Sequence, residues 1–353
     1  MANIAKNNNQ IPKNNFPSEL RLDLVSGDWV VIATGRAKRP EMFREERKRE
    51  IKISKKDCPF CHIEQQKKPL LIFANGKKID FKENIPKNWT TVVLPNKFPA
   101  LFPAAKIKKE KEGKFYQKIS GAGFCELVIS REHEKPFALL SLTRLKEVFD
   151  VYQARYLTLM KEKIVNYVSI FHNEGPKAGA TQPHPHSQII TTPLIDIDLK
   201  KAILNSKKYF QKTGKCLYCQ MNNWEKRFKK RIVFENQDFL VLCPFASKIA
   251  FEIVVSPKKH SPYFEKIEEK EKWQLAEAFY VALRKLYKGL NNPDYNFYLH
   301  TAPCDGKKYP HYHWHWTILP KTSIWAGFEL GAQIEISTIE PERAAEYLKK
   351  QPI

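Results

Sequence analysis

Two long stretches of the chain place apolar residues at the spacing of an amphipathic helix. In residues 142–171 the apolar positions near one face are Leu145, Val148, Phe149, Tyr152, Tyr156, Leu159 and Ile164. In residues 268–290 they are Leu275, Ala278, Phe279, Ala282, Leu283 and Leu286. Recurrence every three to four residues is typical of helices that bury one face. The sequence therefore predicts one long helix in each half of the chain.

Shorter patterns around these helices predict strands and a further helix. The similar runs Glu126–Ser130 and Glu252–Ser256 precede the two long helices and are typical of buried strands. Residues 20–32 alternate apolar and polar positions around a Ser-Gly-Asp turn, which predicts a hairpin. Pro341 stands at the expected start of a last helix.

A set of cysteines and histidines recurs in the same order in both halves. The first set is Cys58-Pro-Phe-Cys61, His133 and His184-Pro-His186-Ser-Gln188; the second is Cys216-Leu-Tyr-Cys219, His260 and His311-Tyr-His313-Trp-His315. When His184 is matched with His311, the interval from the preceding histidine is 51 residues in both halves. A unit of CxxC, strands, histidine, helix and histidine strand is therefore used twice.

This repeat predicts an α+β fold of two similar halves, each an antiparallel sheet that carries one long helix. The chain of 353 residues has the length of two domains. We divide it into halves at residues 18–195 and 196–353. They follow a polar, Asn-rich tail at residues 1–17, which we expect to be disordered.

The chain is strongly basic, with 60 Lys and Arg against 38 Asp and Glu and a net charge of +22. Such a charge fits nucleic acid, a membrane surface or a phosphorylated small molecule, although a lysine-rich solvated surface explains it as well. No stretch approaches the ~20 apolar residues of a membrane helix, and the N-terminus lacks an apolar signal core. We therefore expect a cytoplasmic protein, whose thiols are mostly reduced.

Seven cysteines with two CxxC pairs favour metal ligation over a disulfide framework. Zinc prefers four nitrogen and sulfur ligands in a tetrahedron. The two sets that meet this need are Cys58, Cys61, His133 and His184, and Cys216, Cys219, His260 and His311. Four protein ligands leave no open position, so we predict two structural zinc sites. The alternative for either set is a buried pair of free thiols.

The strand that carries His184, His186 and Gln188 is the candidate reactive element. Alternation places the three side chains on one face, so that His186 stands free beside a metal-bound His184. A neutral imidazole can attack phosphorus, and Gln188 could donate a hydrogen bond to the phosphate oxygens. Upstream, Gly179 and Thr181 belong to a glycine-containing segment whose backbone can approach phosphate. A lone HxH is more often a metal or core feature, but here these elements converge on His186.

These motifs resemble those of the galactose-1-phosphate uridylyltransferase family, in the histidine-triad superfamily, over roughly residues 18–349. Further matching segments are Gly27-Asp28-Trp29-Val30, Arg36-Ala37-Lys38-Arg39-Pro40, Asn96-Lys97-Phe98-Pro99-Ala100-Leu101 and Asn173. The resemblance implies two histidine-triad-like halves, a homodimer, and His186 as carrier of the nucleotidyl group. It also implies nucleotide or phosphate contacts, which would come from Arg36, Arg39, Asn96, Asn173 and Gln188.

Two departures from the family leave the substrate open. The best-known uridylyltransferases have glycine where Ser187 stands, and they bind the hexose through a glutamine near the C-terminus. In the comparable segment, residues 327–335, Glu329 can be aligned and is taken as a substrate contact. Ser187 and the second CxxC also occur in the ADP-glucose phosphorylase branch, which transfers AMP to phosphate by the same chemistry.

Some family members hold their second metal through a glutamate and three histidines. The histidines that could do so here are His300, His313 and His315. The expected glutamate falls near Ala202, which favours the CxxC set instead.

The resemblance thus predicts a nucleotidyltransferase that acts on a nucleotide sugar and a sugar phosphate, foremost a UDP-glucose–hexose-1-phosphate uridylyltransferase of galactose metabolism. The alternative acceptor is phosphate, with AMP as the transferred group. A zinc-ribbon nucleic-acid-binding protein is the alternative from another class, favoured by the charge and the CxxC pairs. However, zinc-finger ligands usually lie within ~30 residues of one another, whereas His133 follows Cys61 by 72. We therefore expect neither a nucleic-acid nor a membrane partner.

Overall fold

The computed structural model describes residues 18–36, 38–44, 53–80 and 85–353, so the tail expected at residues 1–17 lies outside the described residues. The elements of the first half are β1 (Glu19–Leu22), β2 (Trp29–Ile32), β3 (Leu71–Ala74), β4 (Lys77–Ile79), β5 (Thr91–Pro95), β6 (Lys109–Glu112), β7 (Tyr116–Ile119), β8 (Cys125–Ser130), α1 (Leu142–Leu159), β9 (Tyr167–Glu174) and β10 (His186–Thr192). Those of the second half are α2 (Ile197–Thr213), α3 (Leu217–Phe228), β11 (Ile232–Glu235), β12 (Phe239–Leu242), β13 (Ile253–Pro257), α4 (Glu269–Gly289), β14 (Tyr295–His300), β15 (His315–Pro320), α5 (Gly327–Ala332), β16 (Ile336–Ser337) and α6 (Pro341–Lys350).

Eleven of these strands form one continuous antiparallel sheet. Its order is β4-β3-β5-β8-β10-β9-β14-β15-β13-β12-β11. The halves meet where β9 pairs with β14, with Phe171 opposite Tyr298. Outward from this junction the strands follow the same order on both sides, so each half repeats the other. The α+β prediction of two similar halves is confirmed, and the pairing of the two sheets into one is a feature that the repeat alone did not indicate.

The two long helices pack side by side on one face of the sheet. The rings of Phe149 on α1 and Phe279 on α4 lie 5.0 Å apart, centroid to centroid, within the main core. Asp150 of α1 accepts both Lys146 at 2.8 Å and Lys272 of α4 at 2.6 Å. The opposite face of the sheet is therefore left for the side chains of the candidate site.

The first long helix is shorter than its sequence pattern predicted. Residues 142–171 read as one helix, but α1 ends at Leu159 and Tyr167–Glu174 form β9. Within β9, Val168, Ile170 and His172 are fully buried, whereas Ser169 and Phe171 line a cavity. The helical pattern continued past Leu159 because short apolar runs such as Ile164 and Val165 fit a helix as well as a strand. The helix predicted at residues 268–290 agrees with α4.

The remaining predicted elements are present outside the large sheet. β1 and β2 pair as the hairpin predicted for residues 20–32, and Gly27 in its turn has φ of +80°. β16 pairs in parallel with β2, and α6 begins at Pro341 as predicted. Among the described helices, none combines the length and the apolar character that crossing a bilayer requires.

Candidate active site and metal clusters

The four ligands predicted in the first half come together beside the start of β10. Cys58 and Cys61 lie on one tight turn, in which the Cys61 N–H donates to the Cys58 carbonyl at 3.0 Å. Nδ1 of His184 lies 3.4 Å from Sγ of Cys58, and Nδ1 of His133 lies 3.2 Å from Sγ of Cys61. The four ligand atoms all lie within 4.8 Å of one another, so the group could hold a metal ion.

The hydrogen bonds behind the two histidines orient them for a metal. Nε2 of His133 lies 2.8 Å from the Ile53 carbonyl oxygen, and Nε2 of His184 lies 2.7 Å from that of Ser130. A carbonyl oxygen only accepts, so each Nε2 carries the proton and each Nδ1 presents a lone pair. The two Nδ1 atoms lie 3.2 Å apart, so their lone pairs repel each other unless a cation is bound between them. This donor set fits a structural metal ion.

Burial affects the ligands of the first cluster in opposite ways. It lowers the pKa of His184 to about 4, which keeps that imidazole neutral and able to bind a metal. Burial, with Cys58 close by, raises the pKa of the Cys61 thiol to about 11. Because a thiol must lose its proton to bind a metal, metal uptake by this cluster should release protons.

A second group of the same composition lies in the C-terminal half. It consists of Cys216, Cys219, His260 and His313. Sγ of Cys219 lies 3.4 Å from Nδ1 of His260 and 3.5 Å from Nδ1 of His313. The Nε2 atoms of these histidines again lie near backbone carbonyl oxygens, those of Pro310 and Pro257, both at 2.9 Å. The orientation found in the first half is thus repeated, and this donor set fits a metal ion equally well.

The prediction that His311 completes this second set is wrong, because His313 occupies the position. His311 packs instead against the rings of Phe210 and Tyr309, with centroid distances of 6.4 Å and 6.1 Å. His311 and His313 come two residues apart and before the start of β15, so the motif alone does not distinguish them.

His311 was chosen over His313 because the connection between β14 and β15 is longer than its counterpart in the first half. His313 follows His260 by 53 residues, two more than the 51 between the corresponding histidines of the first half. The helix and strand positions before it match at a constant offset, so the two additional residues lie in the connection between β14 and β15. The halves therefore align with His315 in the place of His186.

His186 is held as a neutral imidazole with one nitrogen free. Its Nδ1 lies 3.0 Å from the His184 carbonyl oxygen, so Nδ1 carries the proton and Nε2 the lone pair. Its ring meets the edge of Phe60 at a centroid distance of 4.9 Å. Burial lowers the pKa of His186 below its usual value, which favours the neutral form. A neutral imidazole with a free nitrogen is the form that acts as a nucleophile.

His186 lines a cavity of about 550 Å³, within the range of small-molecule sites. The predicted contacts Asn96, Thr181 and Gln188 also line it. Gln188 follows His186 by two residues on β10, so both side chains project from the same face of the sheet. Sequence reasoning did not single out Lys67 and Lys97 as site residues, although both line the cavity and bring positive charge to it.

The glycine-containing segment after β9 is held by the second half. Nδ2 of Asn296 on β14 donates to Oδ1 of Asn173 and to the Ala178 carbonyl, both at 2.8 Å. A Cβ on Gly175 would lie 2.1 Å from a carboxylate oxygen of Asp294, so only glycine fits there. Gly179 has φ of +85°, a conformation that also favours glycine. Asn173 lines a neighbouring cavity of about 960 Å³ rather than that of His186.

Two predicted substrate contacts lie away from the His186 cavity. Among the residues that the structure describes, neither Arg39 nor Glu329 lines it. The backbone beside Arg39 hydrogen-bonds to the Thr338 carbonyl, which places this segment on the C-terminal half. Glu329 accepts the Ala326 N–H at 3.0 Å at the start of α5. The side chain of Arg36 lies outside the described residues.

The three-histidine alternative for the second metal finds no support in the described part of the chain. His300 and His315 stack at a centroid distance of 4.6 Å on the wall of the larger cavity. Neither belongs to a described group of three or more possible ligands, whereas His313 belongs to the Cys216 group. Ala202, on the same cavity wall, offers no ligand atom.

Comparison with known protein families gives two matches that together span nearly the whole chain. Residues 9–196 match the N-terminal domain of galactose-1-phosphate uridyl transferase, and residues 203–351 match its C-terminal domain. The chain is 30% identical over 340 residues to ADP-glucose phosphorylase of Arabidopsis thaliana, which covers 95% of this chain and 93% of that protein. It is 25% identical over 344 residues to galactose-1-phosphate uridylyltransferase of Thermotoga maritima, with 95% and 99% covered.

Solved structures show the same similarity. The crystal structure of an ADP-glucose phosphorylase from Arabidopsis thaliana with bound ADP-glucose superposes with a TM-score of 0.78 at 26% identity, over 95% of this chain and 100% of that one. A structure of uridylyltransferase superposes with a TM-score of 0.70 at 23% identity, over 94% and 97%. The latter shows a shared fold.

Proposed function

Because the chain belongs to the galactose-1-phosphate uridyl transferase family, we propose that it moves a nucleoside monophosphate from a nucleotide sugar to a sugar 1-phosphate. The first assignment is UDP-glucose–hexose-1-phosphate uridylyltransferase of galactose metabolism, and it is supported by the relatives named galactose-1-phosphate uridylyltransferase. The observation that carries the proposal is His186, whose free Nε2 belongs to a neutral imidazole on the wall of a cavity large enough for the substrate.

The reaction proceeds in two displacements at the α-phosphorus. First, the Nε2 lone pair of His186 forms a bond to phosphorus, and the bond to the bridging oxygen breaks, so that a hexose 1-phosphate leaves. Next, a phosphate oxygen of the second sugar phosphate attacks, and the phosphorus–nitrogen bond breaks to return the neutral imidazole. The His184 carbonyl accepts a hydrogen bond from the Nδ1–H of His186 throughout and stabilises the positive charge of the substituted ring.

The residues around His186 bind the substrate and stabilise the transition state. Gln188 donates its amide to a phosphate oxygen that gains charge in the transition state. Asn96 and Thr181 bind the nucleotide or its phosphates from the cavity wall. Gly179 and Asn173 shape the adjacent segment, and the Asn296 amide keeps Asn173 in place.

Both Cys/His clusters are zinc sites in this proposal. Tetrahedral coordination by two thiolates and two imidazoles suits zinc and leaves no position for substrate. The bound ion would supply folding free energy and no reaction chemistry. In the first half it would tie the CxxC turn to His184, two residues before the nucleophile. The four ligand thiols also suit the cytoplasm, where cysteines stay reduced.

The protein works as a homodimer in this proposal, since Arg39 and Glu329 lie away from the cavity of their own chain. The resemblance implies that Arg39 and Glu329 contact the substrate. In a dimer, the Arg39 and Glu329 of one chain could reach the His186 cavity of the other. Exposed apolar side chains at Ile324 and Leu330, 90% and 68% accessible, flank Glu329 and suit such an interface. At substrate concentrations well below the KM of Arg39→Ala, a mixture of His186→Ala and Arg39→Ala chains should be more active than either variant alone. If no mixture recovers activity, the sites are not shared.

Adenylyl transfer to phosphate is the second candidate function. Ser187 favours it, because the ADP-glucose phosphorylase branch carries serine at this position. The 30% identical relative bears that name as well. Both functions use the same covalent step at His186 and differ in base and acceptor.

One substrate screen tests both assignments. UDP-glucose and ADP-glucose are each offered with galactose 1-phosphate or with phosphate, and product formation is followed. Turnover of UDP-glucose with galactose 1-phosphate supports the first assignment, and turnover of ADP-glucose with phosphate the second. If none of the four pairs reacts, the proposed nucleotidyl transfer is wrong.

A further inference from the structure

A continuous network of buried hydrogen bonds lies beneath the strand that carries the nucleophile. Its members, here called the β10 network, are Tyr152, Ser187, His172 and Glu174. The Tyr152 hydroxyl donates to Oγ of Ser187 at 2.5 Å, and that oxygen lies 3.1 Å from Nδ1 of His172. Nε2 of His172 lies 3.1 Å from a carboxylate oxygen of Glu174. Tyr152 and His172 are fully buried and Ser187 is 1% exposed, so bulk water does not compete for these bonds.

One arrangement of hydrogens satisfies every bond of the β10 network. Tyr152 gives its proton to Ser187, so Ser187 gives its own to Nδ1 of His172. His172 then carries its proton on Nε2 and donates it to Glu174. The Glu174 carboxylate accepts the Phe137 N–H as well, at 3.3 Å. The network therefore runs in one direction from α1, through β10, to the end of β9.

The second half shows that the fold does not need this network. Across β15 and β14 Trp316 pairs with Leu299, as Ser187 pairs with His172 across β10 and β9. The residues at the four corresponding positions are Phe279, Trp316, Leu299 and Thr301. The Phe279 and Trp316 rings lie 5.5 Å apart and edge-on. At three of these four positions apolar side chains thus support the same strands under the same kind of helix, and the fourth, Thr301, accepts the Phe264 N–H at 3.0 Å.

This contrast indicates a role in the reaction. Replacing a fully paired buried network by apolar groups of the same shape is often neutral or even stabilising, so stability alone does not account for the network. The polar network occurs in the half of the chain that contains His186. Ser187 stands between His186 and Gln188, with its side chain on the opposite face of β10. Because Tyr152 and His172 both hydrogen-bond to Oγ of Ser187, they fix the peptide groups that join Ser187 to His186 and to Gln188.

We propose that Tyr152, Ser187, His172 and Glu174 are positioning residues, which hold β10 in the orientation that aims His186 and Gln188 at the α-phosphorus. This proposal rests on the proposed nucleotidyl transfer at His186. None of the four residues lines the cavity, so they act through the backbone of β10. Loss of the network should therefore slow the chemical step and leave substrate binding nearly unchanged.

The test compares Ser187→Ala with Thr191→Val, a control on the same strand and the same face. Thr191 is fully buried and accepts the Phe124 N–H at 2.9 Å, but it lies outside the β10 network. Formation of nucleotidyl-histidine is measured in a single turnover with UDP-glucose and ADP-glucose labelled in the α-phosphate, together with KM and metal content. Ser187→Ala should slow labelling by on the order of 10-fold to 100-fold with little change in KM, and Thr191→Val should label at the wild-type rate.

A second pair keeps the test decisive if Ser187→Ala does not fold. His172→Leu installs the residue that the second half uses, and His172→Gln retains one acceptor and one donor. The leucine variant should label slowly, and the glutamine variant should recover part of the rate. Normal labelling by folded, metal-loaded Ser187→Ala or His172→Leu overturns the positioning role while leaving the nucleotidyl transfer intact. A wild-type protein that takes no label from either nucleotide sugar overturns both.

Discussion

Replacing His313 by alanine should empty the second metal cluster, whereas the same change at His311 should not. Structural zinc contributes about 10–16 kcal/mol through four ligands in zinc-finger peptides. One ligand of four is then worth on the order of 2.5–4 kcal/mol, so its loss lowers metal affinity by a factor of roughly 70–900. The hydrogen bond from His313 to the Pro257 carbonyl adds about 1 kcal/mol that does not depend on metal. His311 makes only ring contacts with its neighbours in the described structure, so we expect its loss to cost less than ~1 kcal/mol.

The assay follows metal content while a competing chelator is titrated against each variant. Wild type and His311→Ala should keep two metal ions per chain, and His313→Ala should release one of them at a far lower chelator concentration. Urea unfolding of the same samples should show a clear loss of stability for His313→Ala alone. Release of one ion by His311→Ala, with two retained by His313→Ala, would refute the assignment and restore the equal spacing of the two halves.

Three further changes probe other parts of the structure. Cys58→Ser should leave one metal ion per chain and lower the midpoint of urea unfolding, and retention of two ions would contradict the first cluster. Gln188→Ala should lower kcat, since one donor to a transition-state oxygen is worth about 2.7–4 kcal/mol. Arg39→Ala should mainly raise KM. Steady-state kinetics in which Gln188→Ala raises KM alone and Arg39→Ala lowers kcat alone would contradict these two roles. Burial raises the pKa of Glu252 to about 7, so its protonated form stabilises the fold below about pH 4, and this stabilisation is lost as pH rises through 7. Glu252→Gln, which keeps an acceptor for the Lys248 N–H, should gain on the order of 1–3 kcal/mol over wild type between about pH 5 and 8; a gain that does not vary with pH in urea unfolding would contradict it.

Most of the candidate site could be predicted from short sequence motifs. The CxxC turn and the His-x-His-x-Gln strand are short segments whose side-chain directions follow from local geometry. They therefore predicted the Cys58 cluster and the place of His186 beside it. The choice of His311 over His313 failed because it depended on the length of a connection, and a loop can gain two residues without disturbing the strands on either side.

Features that depend on contact between the halves could not be read from the sequence. The joining of the sheets at β9 and β14 brings Asn296 to Asn173, although 123 residues separate them. The absence of Arg39 from the described wall of the His186 cavity likewise follows from where β2 pairs with β16. The sequence did not predict the β10 network because Tyr152 fits the apolar face of α1. Its hydrogen bond to Ser187 depends on α1 packing under β10, which the sequence pattern does not show.

The central claim is that His186 becomes covalently nucleotidylated. The most direct measurement is mass spectrometry of proteolytic peptides, after brief incubation with UDP-glucose or ADP-glucose and quenching at alkaline pH. We expect one added nucleoside monophosphate on the peptide that contains His186; it should be absent from His186→Ala and disappear when the acceptor is added. A modified residue other than His186, or turnover without any modified peptide, would show that His186 is not the nucleophile.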